Sequence, residues 1–127
     1  MTTVILDTNI LIYSAKEPFD IENQLMLAGF LDIRVPSVVL EELRKLSKKG
    51  DKTGRFAALA LEIAKRFAVL KSASSGLADD QLVNAAREGN LTVVTTDAAM
   101  KRRLRSEGLS VIFLKNGRLL AEDEIIY

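Results

Sequence analysis

Four short blocks place carboxylates where an α/β chain can put them to chemical use. "TVILDTN" (residues 3–9) sets Asp7 at the tip of an apolar run, and "LTVVTTD" (91–97) does the same with Asp97. "LEEL" carries Glu41 and Glu42 along a helix, and "ADDQLVNAA" carries Asp79 and Asp80 at the head of another. The chain has no histidine and no cysteine, which excludes imidazole acid–base catalysis, thiol nucleophiles, disulfides and Cys/His zinc sites. Any chemistry falls to carboxylates, hydroxyls and lysines. Carboxylates that converge must relieve their repulsion by taking up protons or by binding a cation. An all-oxygen donor set suits magnesium or manganese (Mg2+ or Mn2+). Such a site can activate water and stabilise the leaving oxygen of a phosphodiester, so hydrolysis of nucleic acid is the leading reaction.

The elements that must position these acids follow from the apolar pattern. Thr3 to Leu6 is an unalternating apolar run suited to a strand covered on both faces. Helical segments are expected over Asn9–Ser14 and Phe19–Phe30, and "DIRVP" (32–36) forms a second strand. Ser37 is expected to cap a helix running through Lys48; residues 50–54 read as a turn, and a further helix covers Arg55–Phe67. The small-residue stretch "SASSGL" (72–77) is a loop leading into a helix over Asp79–Glu88. The strand "LTVVTT", a helix over Ala98–Glu107 stopped by Gly108, and the strand "LSVIFL" come next, and Asn116–Gly117 marks a two-residue hairpin turn. Such alternation predicts an α/β, three-layer α/β/α arrangement around a central, mostly parallel sheet, as one domain over residues 1–127.

In open α/β sheets ligands sit beyond the carboxyl ends of the strands, where Asp7 and Asp97 both fall. Either one alone is better explained as a turn residue or helix cap, and the two together weaken that explanation. On the helix after Pro36, Val39, Leu43 and Leu46 set the buried stripe; Glu41 falls opposite it, while Glu42 falls roughly 65° from its centre, where it can reach a cleft. Asp79 shares a face with Leu82, Val83 and Ala86, whereas Asp80 points away. Both also fit the ordinary preference of acids for a helix N-terminus.

Taken in order and spacing, "VILDTNILI", "VPSVVLEELRKL", "ADDQLVNAA" and "LTVVTTDAAMKRRLRSEG" resemble the motif blocks of the PIN-domain ribonucleases across nearly the whole chain. The resemblance implies a compact α/β/α fold with a magnesium- or manganese-dependent endoribonuclease site. It makes Asp7 a direct metal ligand, Glu42 a ligand directly or through water, Asp79 the third acid in preference to Asp80, and Asp97 the fourth. Thr8, Asn9, Thr95 and Thr96, with Asp80 beside them, would hold the ligating carboxylates or the attacking water in place. "VLEELRKL" and the last block look more like the PIN proteins of archaeal and eukaryotic ribosomal RNA processing than like the toxins, which share the same skeleton.

Lys and Arg number 18 against 17 Asp and Glu, so net charge names no partner. Two local clusters do point to RNA: Arg44, Lys45, Lys48, Lys49, Lys52 and Arg55, and then Lys101, Arg102, Arg103 and Arg105. Either could lead a phosphate backbone toward carboxylates that alone would repel it; solvated helix faces explain them as well. The apolar helices at 19–31 and 56–68 serve either a homodimer or the core. No membrane-length apolar run or signal segment is seen, so a cytoplasmic protein without membrane association is expected. The competing functions are a toxin-type PIN ribonuclease and a non-catalytic RNA-binding or ribosome-assembly module. A haloacid-type phosphatase is disfavoured because Asn9 stands where a second acid is wanted.

Overall fold

Val4, Ile5 and Leu6 are fully buried, as the unalternating run requires of a strand sandwiched between helix layers. In the computed structural model, which describes residues 2–71, 76–121 and the backbone of 124–125, this strand, β1 (Thr3–Leu6), lies inside a seven-stranded sheet. The chain continues through α1 (Thr8–Lys16), α2 (Ile21–Leu27), β2 (Asp32–Pro36), α3 (Ser37–Ser47), α4 (Lys52–Ala64) and β3 (Ala68–Leu70). Then follow α5 (Ala78–Gly89), β4 (Thr92–Thr95), α6 (Ala98–Ser106), β5 (Val111–Lys115), β6 (Arg118–Ala121) and β7 (Glu124–Ile125). The strand order is β3-β2-β1-β4-β5-β6-β7. β1 to β5 run parallel, and β6 and β7 return antiparallel.

This order fixes the place of a site. From β1 the chain winds outward to β2 and β3, then crosses back to β4 on the other side of β1 and winds outward to β5. Right-handed crossovers therefore put α1 to α4 on one face and α5 and α6 on the other. The crevice above the β1/β4 pair, where winding reverses, opens between the two helix layers. Ile10, Leu11, Val39, Leu43, Leu82, Val83 and Leu104 are buried in the core, and Ala57 and Ala60 are buried where α4 packs on α1 and α3. Each large aliphatic among them stabilises the fold by about 1.5–3 kcal/mol.

Several boundaries differ from the sequence reading, each for a local reason. β3 was not expected: Ala68 and Val69 are exposed at the sheet edge, so the strand has no buried run to betray it. Residues 50–54 are not all turn, because Asp51 caps α4 by accepting the Gly54 N–H at 3.1 Å and the helix begins at Lys52. Ser37 is the first residue of α3 rather than its cap, the cap position being held by Pro36 in extended backbone. α2 is shorter than 19–30; Asp20 caps it at Asn23, and Gly29, at φ +98°, follows its end. The hairpin turn is as expected, with Asn116 and Gly117 both at positive φ between paired Lys115 and Arg118. Of the loop expected at 72–77, residues 72–75 lie outside the described residues. Ile21, Leu25, Ala57, Ala60, Ala64 and Phe67 go to the core, while Met26, Leu27, Leu31 and Leu59 remain about half exposed.

Candidate active site

Two chain reversals build the floor of the crevice. Asp7 leaves β1 in extended backbone and caps α1, accepting the Ile10 N–H at 2.8 Å. Asp97 leaves β4 in the same way and caps α6, accepting from Ala99 at 2.8 Å and from Met100 at 3.4 Å. The cap reading is thus correct for both acids, and it is what aims them into the crevice. Thr95, fully buried on β4, joins the two: its hydroxyl donates to Asp7 Oδ2 and accepts the Asp97 N–H at 2.9 Å. Asn9 Nδ2 reaches Asp97 Oδ2 at 3.5 Å.

Asp7 is only 3% exposed. Burial pushes its carboxyl up to about 7, against the lowering effect of the Thr95 and Ile10 hydrogen bonds, with Asp79 and Asp97 adding repulsion. Above that pH the ionised group costs the fold on the order of 4 kcal/mol, which two or three of the buried aliphatics of β1 offset. Asp79 is also raised, first by desolvation and then by Asp97 and Glu42, with Arg103 opposing. Asp7, Glu42, Asp79 and Asp97 therefore share one electrostatic neighbourhood. Glu42 is half-buried where Glu41 is exposed, as the helix geometry predicts.

Some expected roles need correction. Asp79 is not in the apolar core: it is exposed, although desolvation and the charges of Asp97 and Glu42 still act on it. Asp80 pairs with Arg103 at 2.7 Å, so any part it plays at the acids runs through that ion pair. That pairing, together with Glu107 at 3.9 Å, also removes Arg103 from the freely projecting cations. Lys101 lies over the Phe113 ring, 4.3 Å from its centre. Arg102 and the α3-end cluster of Arg44, Lys45, Lys48 and Lys49 are exposed. Thr96 is half-buried and forms no hydrogen bond to the acids among the described residues. Thr8 is buried beside Asp7, and its hydroxyl has no partner among the described residues. The Asp80–Arg103 pair had no signal in sequence, since its members lie far apart on different helices.

Among the described residues no three carboxylates are drawn close enough to form a finished coordination shell. The donor chemistry nonetheless fits a hard divalent cation: every candidate ligand is a carboxylate oxygen, and the buried Asp7 carboxyl feels the charges of Asp79 and Asp97. A separate cavity of about 370 Å³ between α1 and α4, lined by Ser14, Phe19, Ile63 and Phe67 among others, contains none of these acids.

If the Thr95 bridge organises this floor, Thr95→Val should destabilise the protein by about 1–3 kcal/mol at pH 8, because it strands a buried carboxylate and an N–H together. Urea unfolding should show a smaller deficit at pH 5, where Asp7 is protonated, and Thr95→Ser should restore most of the loss. An equal deficit at both pH values would mean that only packing was lost.

Fold and site define a class: a doubly wound α/β/α domain with carboxylates gathered at the switch point of its sheet. The chain belongs to the PIN-like domain family, whose model it matches over residues 4–117. Ribonuclease VapC9 of Archaeoglobus fulgidus is 30% identical to it, over 90% of this chain and 84% of that protein. Ribonuclease VapC4 of Methanocaldococcus jannaschii is 31% identical, over 91% and 92%. Among solved structures, the PIN domain endonuclease Utp24 superposes with a TM-score of 0.75 and 27% identity, covering 97% of this chain and 92% of that one. DNA-bound VapBC from Salmonella typhimurium shares the fold, with a TM-score of 0.67 at 21% identity, covering 87% of this chain and 97% of that one. Among the described residues no helix is long and apolar enough to cross a membrane.

Proposed function

We propose that the protein is a metal-dependent endoribonuclease whose centre is the acidic crevice above β1 and β4. The observation that carries this reading is the near-complete burial of Asp7 opposite two further carboxylates, an arrangement that costs stability and that a divalent cation would relieve. Asp7 and Asp97 would bind magnesium or manganese from the floor, and Glu42 and Asp79 from the two rims. When bound, the cation supplies a Lewis acid that lowers the pKa of water and offsets charge on the leaving oxygen of the phosphodiester.

The chain's own groups perform the rest. Thr95 holds one oxygen of Asp7 through its hydroxyl, and the Ile10 N–H holds the other, so the carboxylate has a fixed direction. Asn9 does the same for Asp97 through one weak hydrogen bond. The exposed cations at the end of α3 follow Glu42 on the same helix and would draw the phosphate backbone across the crevice. Ribosomal RNA is the substrate class favoured by the resemblance of "VLEELRKL" and the last motif block to the PIN proteins of ribosomal RNA processing, and the likeness to the PIN domain endonuclease Utp24 supports an endonuclease. The two relatives are both named ribonucleases, which supports RNA as the substrate and leaves the toxin-type reading as the alternative.

The test is cleavage of a labelled structured ribosomal RNA fragment and of an unstructured RNA, with manganese, magnesium or chelator, by wild type, Asp97→Asn and Glu42→Gln. Metal-dependent cutting reduced at least ~100-fold by either substitution is expected, since each removes a ligand charge. Preference for the structured fragment would support the processing role. Equal inactivity of all three proteins, with RNA binding that falls steeply with salt, would transfer the site to the non-catalytic binding module.

A further inference from the structure

Asp80 and Arg103 lie outside the set of carboxylates that converge, yet they form an ion pair directly beside it, since Asp80 follows Asp79 in the chain. Arg103 Nη2 sits 2.7 Å from Asp80 Oδ1, and its Nε lies 3.9 Å from Glu107. Glu107 in turn binds Arg87, which is held to Asn84 at 2.8 Å. Asp80, Asn84 and Arg87 lie on α5, Arg103 lies on α6, and Glu107 follows α6 directly. The network therefore ties both ends of α5 to the C-terminal half of α6. The other end of α6 is fixed by Asp97, its cap.

We propose that Arg103 is a positioning residue for the candidate active site, clamping the first turn of α5 through Asp80 so that Asp79 faces Asp97 and Glu42. The inference rests on the nuclease reading above and adds to it a division of labour between two adjacent acids. Asp79 is committed to the crevice and Asp80 to the clamp. The first turn of a helix frays easily because its N–H groups lack intrahelical partners, and the cap position of α5, Leu77, supplies no side-chain hydrogen bond. Interhelical ties therefore take over the orienting task that Asp7 and Asp97 perform for α1 and α6 by capping.

An exposed ion pair contributes little to global stability. The clamp should accordingly be visible at the metal site and nearly silent in unfolding. Manganese binding to the whole protein, followed by the EPR signal of the free ion, gives a readout apart from activity. Arg103→Gln and Asp80→Asn are each expected to weaken manganese binding about 5- to 10-fold, to move Tm little, and to leave chelator-phase RNA affinity unchanged. The double variant should be no worse than either single one, because both break the same tie. Arg103→Lys should recover part of the loss.

Two results would overturn the proposal. One is wild-type manganese affinity in both single variants. The other is a loss of RNA affinity confined to Arg103→Gln, which would return Arg103 to the phosphate-binding residues. Failure of the nuclease reading would look different, since wild type itself would then neither bind manganese nor cut RNA, and the clamp would fall with it.

Discussion

Replacing Asp7 with Asn is expected to abolish RNA cleavage, by about 1000-fold or more, while making the metal-free protein more stable at pH 8. The first effect follows from its central place among the carboxylates: the neutral amide keeps the shape of the cap but removes the charge that would hold the cation. The second follows from burial. The folded carboxyl, pushed up to about 7 from an ordinary 3.8, makes its full contribution to stability below pH 4. That contribution is lost as pH rises from about 4 through about 7, because the unfolded chain ionises first. An amide escapes the loss, but it cannot accept the Thr95 hydroxyl while also serving Ile10 as the carboxylate does. A net gain of about 1–3 kcal/mol at pH 8 is therefore expected, shrinking to nothing near pH 4.

Thermal unfolding across that pH range, with and without manganese, checks the whole argument. Manganese at ~100 times its dissociation constant should stabilise wild type by roughly 3 kcal/mol and leave Asp7→Asn largely unmoved. An Asn variant less stable than wild type at pH 8 would show that the buried carboxylate is already compensated within the protein. The strained-site account would then fail.

Gly54→Ala is expected to be the most damaging small substitution away from the acids. Gly54 lies in the first turn of α4, and a Cβ built there would stand 1.8 Å from the Lys49 carbonyl oxygen and 2.8 Å from its carbon. Both atoms are backbone, and Lys49 is held to the end of α3 by its N–H to Leu46 O at 3.1 Å. No rotamer change relieves the contact; the α3–α4 connection must open. A cost of about 3 kcal/mol or more follows, which for a chain of this size lowers Tm by roughly 10 °C. Because α3 carries Glu42, residual activity should fall beyond what unfolding explains. A Tm within a few degrees of wild type would mean that the connection can shift without cost.

The contrast between these two positions shows how unevenly the sequence discloses the protein. Asp7 was legible as a candidate only in company: alone after an apolar run it reads as a helix cap, and it is the repetition of the pattern at Asp97 that points to a site. Gly54 looked like ordinary turn glycine; its requirement comes from a carbonyl five residues earlier that only the folded α3–α4 corner brings onto it. β3 was invisible for a similar reason, an edge strand of three residues whose exposed side chains carry no buried-strand pattern. The small error at Asp79 is instructive too. A helical wheel gives a direction around an axis and not depth along it, and Asp79 is exposed at the start of a face on which Leu82, Val83 and Ala86 are buried.

By itself the sequence determined the layered α/β/α class, the strands that end in Asp7 and Asp97, and the side of α3 on which Glu42 lies. Periodicity and end signals are local, and each of these conclusions needs only neighbours in the chain. Only the tertiary structure decided that β1 and β4 are adjacent, that one threonine hydroxyl serves both aspartates, and that Asp80 and Arg103 are partners. Those are relations between segments distant in sequence, set by strand order and crossover hand, and no local pattern encodes them.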